Sequence, residues 1–123
     1  MLRNMRLIYH MCRREEWELA VQSGAYSGSS QDRADGFIHF STAGQLPQSA
    51  RRHRMGQAGL VLLAVDPHVL GKALRWEPSR EGALFPHLYG TLPLSAVRSV
   101  RDMPLDADGV PVLPHRESPT TKL

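Results

Sequence analysis

A chain of 123 residues with 41% hydrophobic content is sized for one domain that buries a core of its own without staples. Its single cysteine, Cys12, cannot form an internal disulfide, which fits a reducing compartment. The net charge of +3 is gathered mostly in Arg51-Arg52-His53-Arg54, narrower than the wide basic stripe with interleaved aromatics that nucleic-acid binding wants, so nucleic acid is a possible but not a favoured partner.

The start, Met1 to Arg6, lacks the long apolar region and small-residue cleavage site of a signal peptide. Arg6 to Met11 then reads as a first strand. A helix follows over Arg13 to Ser23, with Trp17, Ala20 and Val21 at i, i+3, i+4 and Gly24 suited to its end. Gly24 to Ala34 is rich in Gly and Ser and reads as a long loop, a feature that often carries function. Gly36 breaks the chain ahead of an extended segment, Phe37 to Phe40. Alternation places Ile38 and Phe40 on one face, and Phe37, His39 and Ser41 on the other. Thr42 with Gln45 forms a capping-box pattern, predicting a helix from Thr42 to about Met55 with Pro47 in its early turns. The basic cluster then falls at the helix C-terminus, where cations suit the dipole.

Leu60 to Val65 is continuously apolar, as a central strand covered on both faces should be, and far too short to cross a membrane. Asp66-Pro67 begins a short helical turn that Gly71 closes. Ala73 to Glu77 is the next strand, with Leu74 and Trp76 directed to the core and Arg75 and Glu77 to the other face. After a turn at Pro78 to Gly82, Leu84 to Tyr89 is a strand with Phe85, His87 and Tyr89 on one face. A turn at Pro93 to Ala96 leads to a last long strand, Val97 to Met103. Asp106 to Gly109 is a turn signal into Val110 to Leu113. Residues 1–114 are thus expected to be one globular domain, with a flexible tail over residues 115–123. Helices early and strands late indicate an α+β fold.

Several of these strands set a polar group among apolar neighbours: His10, His39 with Ser41, Arg75 with Glu77, and His87 with Tyr89. If the faces converge, they line one cleft, and Tyr9, Trp76, Phe85 and Tyr89 could stack a planar ligand there. Three interpretations follow. The cleft binds a nucleotide-like or phosphorylated ligand; or His10, His39 and His87, with Glu77, hold a metal; or these residues are hydrogen-bonded parts of the core. Zinc sites usually present two ligands at short helical or turn spacing, and no such pair is present, so no metal is expected. Ser41 lacks the context of a catalytic serine, and no phosphate-binding glycine motif occurs.

The segments Ile8-Tyr9-His10, Trp17, Asp35 to Ala43, Leu60 to Asp66, Leu74 to Glu77 and Phe85 to Gly90 occur in an order that resembles the bacterial "domain of unknown function 952" family. The resemblance covers about residues 6–113 and is strongest over Gly36 to Ala43 and Phe85 to Gly90. It implies an ADP-ribosyltransferase-like fold: two main helices and split antiparallel sheets that clamp NAD between them. By that resemblance His10 matches the histidine that holds the nicotinamide ribose, and Phe40-Ser41-Thr42 is similar to the end of the transferases' middle strand. Glu77 is the candidate for their late catalytic glutamate, with His87 the other occupant of that position. His10, His39, Arg75 and His87 also echo a branch of the fold that removes an RNA 2′-phosphate with NAD.

The sequence therefore predicts a cytoplasmic protein whose His-lined cleft binds a nucleotide-like or phosphorylated small ligand, with NAD-dependent transfer as its enzymatic form. The alternative is a binding module that keeps the fold without catalysis. Glu77 and His87 are the expected catalytic residues. His10, His39, Ser41, Thr42, Arg75 and Tyr89 are the expected ligand-binding ones, and Glu77 is expected to pair with Arg75. The chain is expected as a monomer or weak homodimer without membrane contact.

Overall fold

The computed structural model describes residues 6–79 and 82–114. The expected start of the chain before Arg6, the tail over residues 115–123, and Arg80 and Glu81 within the turn expected at Pro78 to Gly82 lie outside them.

The most apolar segment sits where its composition demands. β5 (Leu60–Val65) is buried at all six positions and lies inside a four-stranded antiparallel sheet, between β1 (Ile8–Arg13) and β9 (Val97–Met103). Beyond β1 runs the two-residue β4 (Ser41–Thr42). Alternation divides β5 between two apolar clusters. Val61, Leu63 and Val65 join the main core, and Leu60 and Leu62 join a second cluster with Met11, Leu46, Ala50 and Met103. The second cluster is roofed by α3 (Leu46–His53).

A second antiparallel sheet has the order β3-β7-β6, formed by β3 (Ile38–His39), β7 (Leu84–Leu88) and β6 (Leu74–Pro78). β2 (Ala25–Tyr26) and β8 (Leu92–Pro93) form a separate two-stranded ladder. Tyr26, Ile38, Leu88 and Leu92 insert into the same core as Ile8 and Leu63, so all three sheets share it. The fold is mixed α and β, with antiparallel sheets and few helices, as expected from the order of elements. The turn at Asp106 to Gly109 also forms, closed by a bridge between Leu105 and Pro111.

Four local expectations need correction. First, α1 (Arg14–Ser23) buries a narrower stripe than its periodicity implied: Ala20 is buried and Trp17 packs partly against the core, but Val21 is exposed. Second, the expected loop before Ala34 contains α2 (Ser30–Asp35). Ser29 accepts from the Asp32 N–H, and Asp32 accepts from the Ser29 N–H, a capping box that marks a helix start. Third, the next helix starts at Leu46 rather than Thr42. Thr42 and Gln45 exchange the predicted hydrogen bonds, but they close a turn ahead of the helix. Pro47 then occupies the first turn, the helical position where a missing N–H costs least. Fourth, the strand expected from Phe37 changes sheets at Phe40, whose N–H donates to the Pro86 carbonyl. His39 pairs with β7 and Ser41 with β1, so they no longer share one sheet face.

Trp76 is a further correction. It faces the same side as Leu74, as alternation required, but is 47% exposed rather than core. β6 is the edge strand of its sheet, and only Leu74 reaches the apolar cluster. Cys12, by contrast, is buried, and burial pushes its thiol up to about 12, so it is a core residue rather than a reactive one.

Candidate functional site

The change of sheets at Phe40 opens a cleft of about 540 Å³ between the two larger sheets. Its walls include His10 from β1, His39 from β3 and His87 from β7, so the three histidines picked out from separate segments do converge. Tyr9, Phe40 and Phe85 supply its aromatic surface, and Ser41 and Ser49 lie within it, joined by a 3.0 Å hydrogen bond. Thr42, Arg75, Glu77 and Tyr89 are not among its lining residues.

His10 is a fixed structural element of the floor. One ring nitrogen, Nδ1, lies 2.6 Å from the His39 carbonyl, and a carbonyl only accepts, so Nδ1 carries the proton. Nε2 then accepts from the Tyr26 hydroxyl at 2.7 Å. Burial lowers the His10 pKa below the usual histidine range, with the Asp32 charge opposing that shift.

Asp32 organises the next layer. Its Oδ1 accepts from the His39 backbone N–H and faces His39 Nδ1 at 2.5 Å, while its Oδ2 lies 3.5 Å from His10 Nε2. Burial alone would raise this carboxyl, but hydrogen bonds from His39 and Ser29 and the nearby His10 hold it down to about 2. Gly28 is required beneath it, because a Cβ there would come within 2.7 Å of the Asp32 Cβ. Asp35, one turn along α2, faces His39 Nε2 at 3.0 Å. His39 is therefore bracketed by two carboxylates. Asp32 and Asp35 both line the cleft; the capping-box spacing of Ser29 and Asp32 is the sequence signal for the first, and the family-like segment Asp35 to Ala43 contains the second.

His87 is directly opposite His39 across the β3–β7 ladder, with ring centroids 5.7 Å apart. Phe37 stacks on it at 4.1 Å. Glu77 pairs with Phe85 in the β6–β7 register, so His87 is its diagonal neighbour. Glu77 Oε1 accepts from His87 Nδ1 at 2.7 Å and from the Tyr89 hydroxyl at 2.7 Å. These two hydrogen bonds, His87 first, hold the Glu77 carboxyl below its usual range. The expected Glu77–Arg75 pair is thus replaced by a Glu77–His87 pair. Arg75 instead lays its guanidinium over the Tyr89 ring, 4.9 Å from the centroid. Among the described residues, Glu77 is joined to the cleft through His87, which lines it.

One cleft residue was hidden in a segment interpreted as a helix terminus. Arg54 closes α3 and lines the cleft beside His53 and Gln57. Its guanidinium donates to the Met11 carbonyl and to Gln57 Oε1, both at 2.8 Å. Both acceptors are neutral, and Arg54 forms no ion pair among the described residues. Among the same residues, no group of three or more His, Cys, Asp or Glu is placed to hold a metal ion, and no helix is long and apolar enough to cross a membrane.

The family model described as "Protein of unknown function (DUF952)" matches residues 11–100, and the chain belongs to that family. Among solved structures it is similar to protein CC0527 from Caulobacter crescentus. The crystal structure of that protein is 51% identical, with a TM-score of 0.83 over 85% of this chain and 92% of the other. Its solution NMR structure is 51% identical, with a TM-score of 0.76 over 85% and 90% of the two chains. No curated protein matches. The family expected from the sequence blocks is therefore established, while these matches carry no activity and no likeness to ADP-ribosyltransferases.

Proposed function

We propose that the cleft binds a nucleotide-like or phosphorylated small ligand. The observation that carries this reading is Arg54: a half-buried guanidinium at the cleft wall, held by neutral acceptors and without a carboxylate partner among the described residues. Arginine has five N–H donors in a planar fork, and the described residues take up two of them, which leaves charge and donors for a phosphate. Tyr9, Phe40 and Phe85 offer apolar and aromatic surface for the rest of such a ligand.

The finer reading is an ADP-ribosyltransferase-like cleft that uses NAD. It is supported by the split antiparallel sheets and by the position of His10 on an early strand. Against a ribose-holding role, both ring nitrogens of His10 are already hydrogen-bonded, to His39 and Tyr26. Glu77 accepts from His87 and Tyr89, an arrangement suited to orienting a histidine rather than to facing a ribose cation. Binding is thus better supported than NAD-dependent transfer.

Thermal melts with inorganic phosphate, AMP, ADP-ribose and NAD test the proposal. A ligand at one hundred times its dissociation constant adds about 2.7 kcal/mol of stability. At least one phosphorylated ligand should raise the melting temperature, and Arg54→Gln, compared with its own unliganded melt, should lose most of that rise. Equal ligand shifts in the variant, or none in the parent protein, would refute it. Release of nicotinamide from NAD would instead establish the transferase form.

A further inference from the structure

We infer that the ligand also carries a hydroxyl group, accepted by His87 Nε2, so that the cleft selects a phosphorylated polyol such as a pentose phosphate over a simple phosphate. This rests on the phosphate reading of Arg54 and adds a second, separate recognition point.

The first support is the state of the imidazole. A carboxylate only accepts, so the 2.7 Å contact between Glu77 Oε1 and His87 Nδ1 places a proton on Nδ1. In the neutral ring the lone pair then resides on Nε2. Tyr89 donates to the same Glu77 oxygen and steadies it, and Phe37 stacks against the ring. The ring is held in one orientation and one tautomer by its neighbours.

The second support is what Nε2 lacks. His87 is 6% exposed, yet its Nε2 has no hydrogen-bond partner among the described residues. Buried polar atoms without partners are rare and unfavourable. This one belongs to a residue that lines the cleft. A hydroxyl donor would satisfy it, whereas an ionised phosphate oxygen would face a lone pair.

The third support is the distribution of charge. The wall built by α2, β3 and β7 carries His87 together with the carboxylates of Asp32 and Asp35. These disfavour an anion and favour hydroxyl donors. The wall built by β1 and the end of α3 carries Arg54. A ligand with a phosphate at one end and hydroxyls at the other matches both walls.

Titration calorimetry in mildly alkaline buffer, with ribose 5-phosphate and inorganic phosphate as probes, tests this. Ribose 5-phosphate should bind the parent protein at least about tenfold tighter, the difference one good polar contact makes. His87→Phe keeps a ring to stack on Phe37 but removes the acceptor. It should bring the two probes to within about threefold of each other by weakening ribose 5-phosphate. Glu77→Gln should weaken the preference in part and shift His87 away from the Nδ1–H tautomer, read from its imidazole nitrogen resonances. Should His87→Phe fail to fold, those resonances in the parent protein decide. Ribose 5-phosphate should move Nε2 of His87, and phosphate should not. An unchanged preference in His87→Phe, or an Nε2 resonance indifferent to ribose 5-phosphate, overturns the hydroxyl assignment and leaves the Arg54 reading intact. Failure of both probes to bind the parent protein overturns the two together.

Discussion

The two larger sheets of this protein spend their residues differently. In the four-stranded sheet, β5 buries six apolar residues in succession and feeds clusters on both faces. In the three-stranded sheet only one face belongs to the core, through Ile38, Leu88 and part of Leu74. Its other face carries the cross-strand pair His39–His87 and the diagonal pair Glu77–His87. The four-stranded sheet supplies most of the core, and the three-stranded sheet supplies two of the three cleft histidines, His39 and His87. Substitutions should therefore separate the two sheets by stability.

The largest effect is expected in β5. Leu63 is fully buried between β1 and β9, opposite His10 and Val100. Leu63→Ala removes its contacts and leaves a cavity, which should cost about 2–5 kcal/mol by denaturant unfolding. A loss under about 1 kcal/mol would mean that this sheet is no more of a scaffold than the other.

Acid should act where the sheets meet, at His10 and Asp32. The folded-state pKa of His10 lies below the ordinary 6.5, so as pH falls the unfolded chain takes up a proton that the folded protein resists. Stability is then fully present above about pH 6.5 and declines below it. Asp32 is held at about 2 against an ordinary 3.8, so its contribution is present above about pH 4 and is lost between there and pH 2. That difference is worth about 2 kcal/mol. Unfolding measured across this range should decline in two stages. Asp32→Asn should flatten the lower stage and His10→Asn the upper. A profile unchanged by either variant would show that the junction does not govern acid stability.

The contrast also explains what could be recognised in the sequence. The scaffold sheet was legible because β5 is apolar at every position and β9 is long, both signals of local composition. The convergence of His10, His39 and His87 was foreseen only as a condition, since three strands in two sheets must meet to satisfy it. Partner choice was less accessible. Glu77 is beside Arg75 in sequence alternation, but register places His87 on its diagonal, and register depends on the β6–β7 turn and the shared core. Asp32 was missed because its segment is rich in Gly and Ser, although Ser29 and Asp32 have capping-box spacing. Arg54 reads as a helix-terminal cation because nothing local announces the cleft that it lines beside Met11 of β1.

The smallest effect is expected at Trp76, and it makes the comparison sharpest. Two tryptophans were expected in the core on pattern alone. Trp17 packs partly against it, with its ring 6.2 Å from that of Tyr26, whereas Trp76 is 47% exposed on an edge strand. Burial of apolar area, not residue type, sets the cost of truncation. Trp76→Ala should therefore cost less than about 1 kcal/mol, as surface substitutions usually do, and Trp17→Ala distinctly more. Both can be measured by denaturant unfolding followed by circular dichroism, which does not rely on the indole removed. The edge position adds a second readout: Trp76→Ala should leave binding of phosphate to the cleft unchanged, because Trp76 does not line it. If Trp76→Ala proves as costly as Trp17→Ala, the three-stranded sheet is stabilised through its exposed edge, and the division between scaffold and site fails.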